Sequence, residues 1–172
     1  MSKIYPVYIA FGANLANPTQ SFNAALIRLE ALGFDIQARS GLWQSPAWPA
    51  GSGQPDYINA VVRASFTGDA RQALAHLHTV EAALGRVRGV QNAARMLDLD
   101  LLDFGGQVID DDDIIIPHPR MMTRGFVLFP LSQLSADWVH PVSQRALREA
   151  TARLPLDDVA PMQYLGPWVI QS

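Results

Sequence analysis

The segment Arg95-Met-Leu-Asp-Leu-Asp-Leu-Leu-Asp103 holds the densest chemistry in the chain. In an extended strand side chains alternate faces, so Asp98 and Asp100 point the same way, about 7 Å apart along the chain. Leu97, Leu99 and Leu101 face the other way and read as core. Two carboxylates side by side repel each other and are costly to bury without compensation. A divalent cation supplies that compensation, and oxygen-only ligation in a chain without cysteine points to magnesium. Arg86 and Arg88 lie in the preceding loop and Arg95 just ahead of the strand. Acids holding magnesium beside arginines are what a nucleotide polyphosphate needs. No Walker A pattern or kinase glycine-rich loop is present, so the phosphate site is of another design. Asp103 breaks the alternation and reads as a solvated or capping residue. Two other readings of the pair stay open here: an edge strand whose acids are merely wet, and a nuclease-like metal dyad, which this charge balance disfavours.

A second constellation suits a flat ring. Tyr57 and Asn59 alternate onto one face of a strand while Ile58 faces the opposite side. Asn59 can donate and accept hydrogen bonds, which matches the edge of a planar, amide-like heterocycle. Trp48, Tyr57 and Phe126 offer stacking surfaces, with hydrophobic core as the alternative use of each. His118 sits between two prolines with its backbone restrained outside helix or strand, and reads as functional. His76, His78 and His140 lack ligand-like company, and Asp110 to Asp113 read as a solvated tip.

The elements that must position these residues follow from periodicity. Val7–Phe11 reads as a buried first strand, followed by a helix over about 19–32 that Thr19 can cap and Gly33 ends. A strand is expected over about 34–43, then a long loop over 44–56, a strand over 57–66, and a helix opened by Gly68-Asp69 and running to about Leu84. Met96–Phe104 reads as a strand with a short return at Val108-Ile109, and 114–124 as irregular. Gly125–Phe129 reads as strand-like, 131–134 as a turn, 143–153 as a last helix, and the tail after Pro155 as irregular. This order predicts an α+β fold: a single-domain α/β sandwich over 1–172, with a ferredoxin-like βαββαβ core, a mainly antiparallel sheet and helices packed on it. Residues 135–172 are expected to extend the same domain.

Composition bounds the function. The 172 residues are 49% hydrophobic and 17% charged, enough apolar material for a sizeable core. A net charge of -3 argues against a nucleic-acid surface, and the absence of cysteine removes disulfides, thiolate metal sites and a cysteine nucleophile. No signal-peptide pattern or membrane-length apolar run occurs, so a cytoplasmic address and no membrane partner are expected.

Phe11-Gly-Ala-Asn-Leu15, Gln54-Pro-Asp-Tyr-Ile-Asn59, Gly85-Arg-Val-Arg88, Arg95-Met-Leu-Asp-Leu-Asp100 and Pro117-His-Pro-Arg-Met-Met-Thr-Arg-Gly-Phe126 occur in that order. Together they resemble the 6-hydroxymethyl-7,8-dihydropterin pyrophosphokinases of folate biosynthesis, over about residues 4–134. The resemblance implies an enzyme that transfers the β,γ-pyrophosphate of ATP to the pterin hydroxymethyl group, with AMP as the other product. It implies that Asp98 and Asp100 bind two magnesium ions and that Arg86 and Arg95 engage the phosphates, Arg86 from a mobile loop. Arg88, His118 and Arg124 would lie on the phosphate side, with Glu81 and Leu101 around the adenosine. Ser45, Pro46, Trp48, Tyr57, Asn59 and Phe126 would form the pterin pocket. ATP and the pterin are the expected partners, and a monomer the expected state. A nucleotide- or pterin-binding protein without catalysis is the alternative on the same fold, and a small RNA-binding domain the alternative of another class. The chain departs from the family pattern at Ala13, where Ser is usual. It also has Asn92-Ala93-Ala94 where many members carry Trp-Gly-Pro, so an aromatic lid over the pterin is expected to be missing. Asp113, Pro119 and Met122 stand where basic or aromatic residues are common.

Overall fold

The computed structural model describes residues 3–86 and 94–170. Strand β1 (Ile4–Ala13) runs antiparallel between β4 (Tyr57–Thr67) and β5 (Asp98–Phe104). Across the far side of β4 lie β2 (Phe34–Arg39) and β3 (Leu42–Ser45), and β8 (Gln163–Gly166) pairs with β3 beyond. Helix α1 (Pro18–Ala31) follows β1 and α2 (Ala70–Ala83) follows β4, which completes the ferredoxin-like βαββαβ order with β1 and β4 at its centre. β6 (Ile109–Asp111) and β7 (Ile114–Ile116) form a separate hairpin. α3 (Gly125–Leu134), α4 (Leu147–Ala152) and α5 (Leu156–Val159) follow.

Local chemistry explains the two long helices. Asn17 caps α1, its side chain accepting the Gln20 N–H, and Pro18 occupies the first turn, where a missing N–H costs nothing. The helix stops at Leu32, and Gly33 takes the left-handed φ of 93° that reverses the chain. Asp69 and Gln72 form a reciprocal capping box at the start of α2. Phe22, Leu29, Leu77 and Val80 then meet Ile9, Phe11, Leu99 and Leu101 in a core on one face of the sheet. The other face carries a second core, in which Val127, Leu128 and Leu131 of α3 and Leu147 of α4 cover Val61 and Leu102. Among the described residues no helix is long and apolar enough to cross a membrane.

Several expectations need correction. The strand expected over 34–43 is two strands, because Ser40-Gly41 breaks it; the Ser40 hydroxyl accepts the Val61 N–H at the bend. The start of β5 moves from Met96 to Asp98, and Asn17 rather than Thr19 caps α1. The return strand pairs with β7, in a stretch expected to be irregular. Gly125–Phe129 is helical: α3 is apolar nearly all round, so its residues carry no polar stripe to separate a short buried helix from a buried strand. The last helix shortens to α4, and the tail is not irregular. It forms α5 and β8, then sends Trp168 into the core between Phe11 and Phe22. Asp103 is buried, not solvated, accepting from the Gly106 N–H and Trp138 Nε1–H.

Candidate active site

β5 is the edge strand that one reading expected, yet its acids are not simply wet. Leu97, Leu99 and Leu101 are sealed in the first core, which turns Asp98 and Asp100 to the opposite face with side chains 25% and 31% exposed. Asp98 Oδ1 accepts from Arg86 at 2.9 Å and from Arg95 at 2.7 Å. Asp100 Oδ2 faces Arg124 at 3.5 Å and His118 Nε2 at 3.8 Å. Burial, and next to it the charge of Asp98, pushes the Asp100 carboxyl above the usual carboxylate range. Burial likewise pushes His118 down, so it is held neutral more readily than a free imidazole. His118 Nδ1 accepts the Arg120 N–H at 3.2 Å, which leaves the Nε2 proton directed at Asp100.

Glu81, in the last turn of α2, is 1% exposed and reaches this cluster from behind. Its Oε1 accepts the Leu99 N–H on the open side of β5 at 2.7 Å and pairs with Arg86, while Oε2 has no partner among the described residues. Desolvation raises its carboxyl pKa. Leu101 gives its side chain to the core, so what it can offer a ligand is the backbone, which by strand alternation faces the same open side as Leu99. A cleft of about 330 Å³ lies there, lined by Leu74, His78, Arg86, Asp100, Ile116 and His118. A larger cleft of about 660 Å³ between α1, β2 and the C-terminal segment is remote from these groups and contains no such cluster.

The amide side of the site lies two strands away in register. Gly12 pairs with Asp98 on one side and Asn59 on the other, and Trp43 pairs with Asn59 beyond. A Cβ at Gly12 would stand 3.7 Å from Asn59 Oδ1 and 3.8 Å from the Tyr57 ring, so the glycine leaves an open floor between the acid and the amide. Asn59 is 4% exposed, and its Nδ2 donates to Ser45 Oγ at 2.9 Å and to the Trp43 carbonyl at 3.1 Å. That orientation turns Oδ1 toward the Gly12 floor. Burial raises the Tyr57 hydroxyl pKa, keeping it protonated. Phe126 opens α3 with the Arg124 guanidinium 5.4 Å above its ring. Pro46 is exposed and Trp48 is 73% exposed, so neither is packed against this floor.

The structure therefore brings together Arg86, Arg95, Asp98, Asp100, His118 and Arg124 as one charged cluster, with Glu81 behind it and Ser45, Tyr57 and Asn59 beside it. Arg88 and most of the Asn92-Ala93-Ala94 departure lie outside the described residues. Sequence reasoning missed Asn14. It is 4% exposed, accepts the Arg95 N–H at 2.8 Å, and donates to Gln54 Oε1 and the Pro55 carbonyl. The available signal was an amide just past a buried strand, where a polar side chain must find partners. Among the described residues no three metal-ligating side chains gather. The two carboxylates nonetheless suit magnesium, which keeps few protein ligands and completes its shell with phosphate and water.

Comparison with known proteins agrees with this geometry. The family of 7,8-dihydro-6-hydroxymethylpterin-pyrophosphokinase (HPPK) matches residues 8–136. The 2-amino-4-hydroxy-6-hydroxymethyldihydropteridine pyrophosphokinase of Pseudomonas aeruginosa is 37% identical over 158 residues, covering 91% of this chain and 96% of its own. The Haemophilus influenzae enzyme of the same name is 37% identical over 80% of this chain and 86% of its own. The folic acid synthesis protein fol1 of Pneumocystis carinii is 33% identical over 91% of this chain, but the match spans only 21% of that longer protein. A Plasmodium falciparum HPPK-DHPS structure with pterin and p-hydroxybenzoate superposes with a TM-score of 0.74 at 12% identity, over 95% of this chain and 48% of that one, a likeness of fold. With the match running from β1 to the end of α3 and through each strand that carries the acids and the amide, this chain belongs to the HPPK family.

Proposed function

We propose that this chain transfers the β,γ-pyrophosphate of ATP to the hydroxymethyl oxygen of 6-hydroxymethyl-7,8-dihydropterin, releasing AMP. The observation that carries this reading is the row Asp98–Gly12–Asn59 across three paired strands. Strands lie about 4.8 Å apart, so the acid and the amide are about 10 Å apart across a floor with no side chain. That span accepts a flat bicyclic ring with its edge at Asn59 and a one-carbon arm directed to Asp98. Asn59 Oδ1 accepts a ring N–H, Tyr57 and Phe126 flank the ring, and Ser45 and Pro46 close its end, with Trp48 as an outer face.

At the other end, Asp98 and Asp100 would hold magnesium, which when bound neutralises phosphate charge and lowers the pKa of the acceptor hydroxyl. Arg86, Arg95 and Arg124 take the phosphate oxygens, and His118 presents its Nε2 proton to them. Arg86 and Arg95 pair with Asp98 and Arg124 faces Asp100, so the charge that the polyphosphate needs is gathered beside the acids. Arg88 is assigned to the same side. The adenosine fits the cleft beside β5, against Leu101 and near Glu81. The acceptor hydroxyl gives its proton to water as its oxygen attacks the β-phosphorus, the bond from the β-phosphorus to the bridging oxygen of the α-phosphate breaks, and AMP leaves with that oxygen. The protein contributes position and preset charge, which carry most of the barrier reduction in phosphoryl transfers.

The test is incubation with ATP, Mg²⁺ and reduced 6-hydroxymethylpterin, following AMP by chromatography. AMP that appears only with the pterin, matched by pterin diphosphate, is the expected result. A folded sample that binds both ligands and releases no AMP would favour a binding-only protein.

A further inference from the structure

Asn14 is hydrogen-bonded to both halves of the site. Its Nδ2 spends its protons on Gln54 Oε1 at 3.2 Å and the Pro55 carbonyl at 3.1 Å, in the loop that leads into Tyr57 and Asn59. Its Oδ1 takes the Arg95 N–H at 2.8 Å. The backbone repeats the second link: the N–H groups of Asn14 and Leu15 both donate to the Arg95 carbonyl, at 3.0 and 3.2 Å. Both polar groups of the Arg95 peptide are thus held by this turn, while its guanidinium lies 2.7 Å from Asp98. At 4% exposure, Asn14 has little water to replace a lost partner. A shift of the Gln54-Pro55 loop therefore strains the same amide that fixes the Arg95 backbone.

We propose that Asn14 is a positioning residue that couples the seating of the ring to the seating of the polyphosphate. A ring that settles Gln54-Pro55 also settles the Arg95 backbone, and phosphates that draw Arg95 into place prepare the loop for the ring. Each ligand then raises the affinity of the other by the same factor. The inference rests on the substrate assignment above.

The experiment measures the dissociation constant of 6-hydroxymethylpterin with and without Mg²⁺ plus a non-transferable ATP analogue, in wild type, Asn14→Ala and Gln54→Ala. Wild type should show coupling of about tenfold or more. Asn14→Ala should bring it below about threefold while the nucleotide alone binds within about threefold of wild type, and Gln54→Ala should fall between. Equal weakening of both ligands with the factor intact would reduce Asn14 to a structural residue and overturn the proposal. So would a wild-type factor near one. If Asn14→Ala fails to fold, Gln54→Ala decides, since it leaves the Arg95 side of the link untouched. Hydrogen exchange of ligand-free protein separates this inference from the substrate assignment: Asn14→Ala should expose the Arg95 amide to faster exchange. Unchanged protection there would overturn the link, whereas wild type that binds neither ligand but shows the exchange effect would overturn the substrate assignment alone.

Discussion

Asp98 and Asp100 occupy equivalent places on one strand face but stand in opposite energetic positions. Asp98 is held by two guanidiniums at 2.9 and 2.7 Å; Asp100 has longer contacts and a carboxyl whose pKa is raised by burial and by its neighbour. A raised carboxylate pKa means a stability penalty that is present at neutral pH and relieved as pH falls through the folded value. Asp100→Asn should therefore raise the melting temperature at pH 7. Asp98→Asn should lower it, by about 1 kcal/mol after allowance for partial solvent exposure, or roughly 2–4 °C. Both should abolish pterin-dependent AMP release. Paired melts and assays check this, and a stabilised Asp98→Asn would remove the ion pairs from the account. The shared face of the two acids was legible from strand alternation alone. Which partner each acid takes was not, because Arg86 and Arg95 precede the strand and close on Asp98, whereas His118 and Arg124 return to Asp100 from beyond the β6–β7 hairpin.

The turn between α3 and α4 holds a half-buried histidine away from the charged cluster. His140 Nδ1 accepts the N–H groups of Val142 and Ser143, at 3.3 and 3.1 Å, and burial holds its pKa below 6.5. An imidazole whose folded pKa is depressed contributes stability above about pH 6.5 that is lost as pH falls toward the folded value, because the unfolded chain binds the proton first. Protonation also removes the acceptor. His140 and, with the same sign, His118 should pull the melting temperature down between pH 7 and 5.5, against the opposite pull of the raised Asp100 and Glu81 carboxyls. His140→Gln should therefore retain more stability at pH 5.5 relative to pH 7 than wild type does. An unaltered slope would free His140 from this role. At this scale α1 was readable from apolar residues at helical spacing, α2 from its Gly68-Asp69 opening, and β4 from a β-branched and apolar run that follows the turn residues of its loop. α3 was not: packed between the sheet and α4, it carries Phe126 and Phe129 on its partly exposed face, so no polar stripe writes a helical period into the sequence.

The whole molecule is a sheet with two unlike faces, one dedicated to a core and the other divided between a core and the site. The C-terminal segment joins the first. Trp168, 4% exposed, packs edge-on against Phe11 and donates Nε1–H to Asn23 at 2.8 Å. Trp168→Ala should cost about 3–5 kcal/mol in chemical denaturation and leave the affinity for Mg²⁺ and nucleotide nearly unchanged if the protein is assayed cold. A cost under about 1 kcal/mol would mean that the tail is a cover and not part of the core. Apolar content in that tail showed that it must pack somewhere, but a lone tryptophan amid Pro and Gly has no period to say where.

The most exacting position on the reactive face has no side chain. Gly12 has ordinary extended dihedrals, and a methyl there meets its neighbours at contact distance. Gly12→Ala should thus fold at least as well as wild type, strands preferring alanine by roughly 0.5–1 kcal/mol, and should lose pterin binding because the added carbon stands where the ring must lie. Undiminished pterin affinity in that variant would move the ring off this floor. Subtractive mutagenesis would pass over the position altogether, since truncating side chains to alanine maps what a protein has and is blind to what it keeps empty. Reading this surface calls for an additive scan, in which methyl groups are placed one at a time and the silent positions are those that fill.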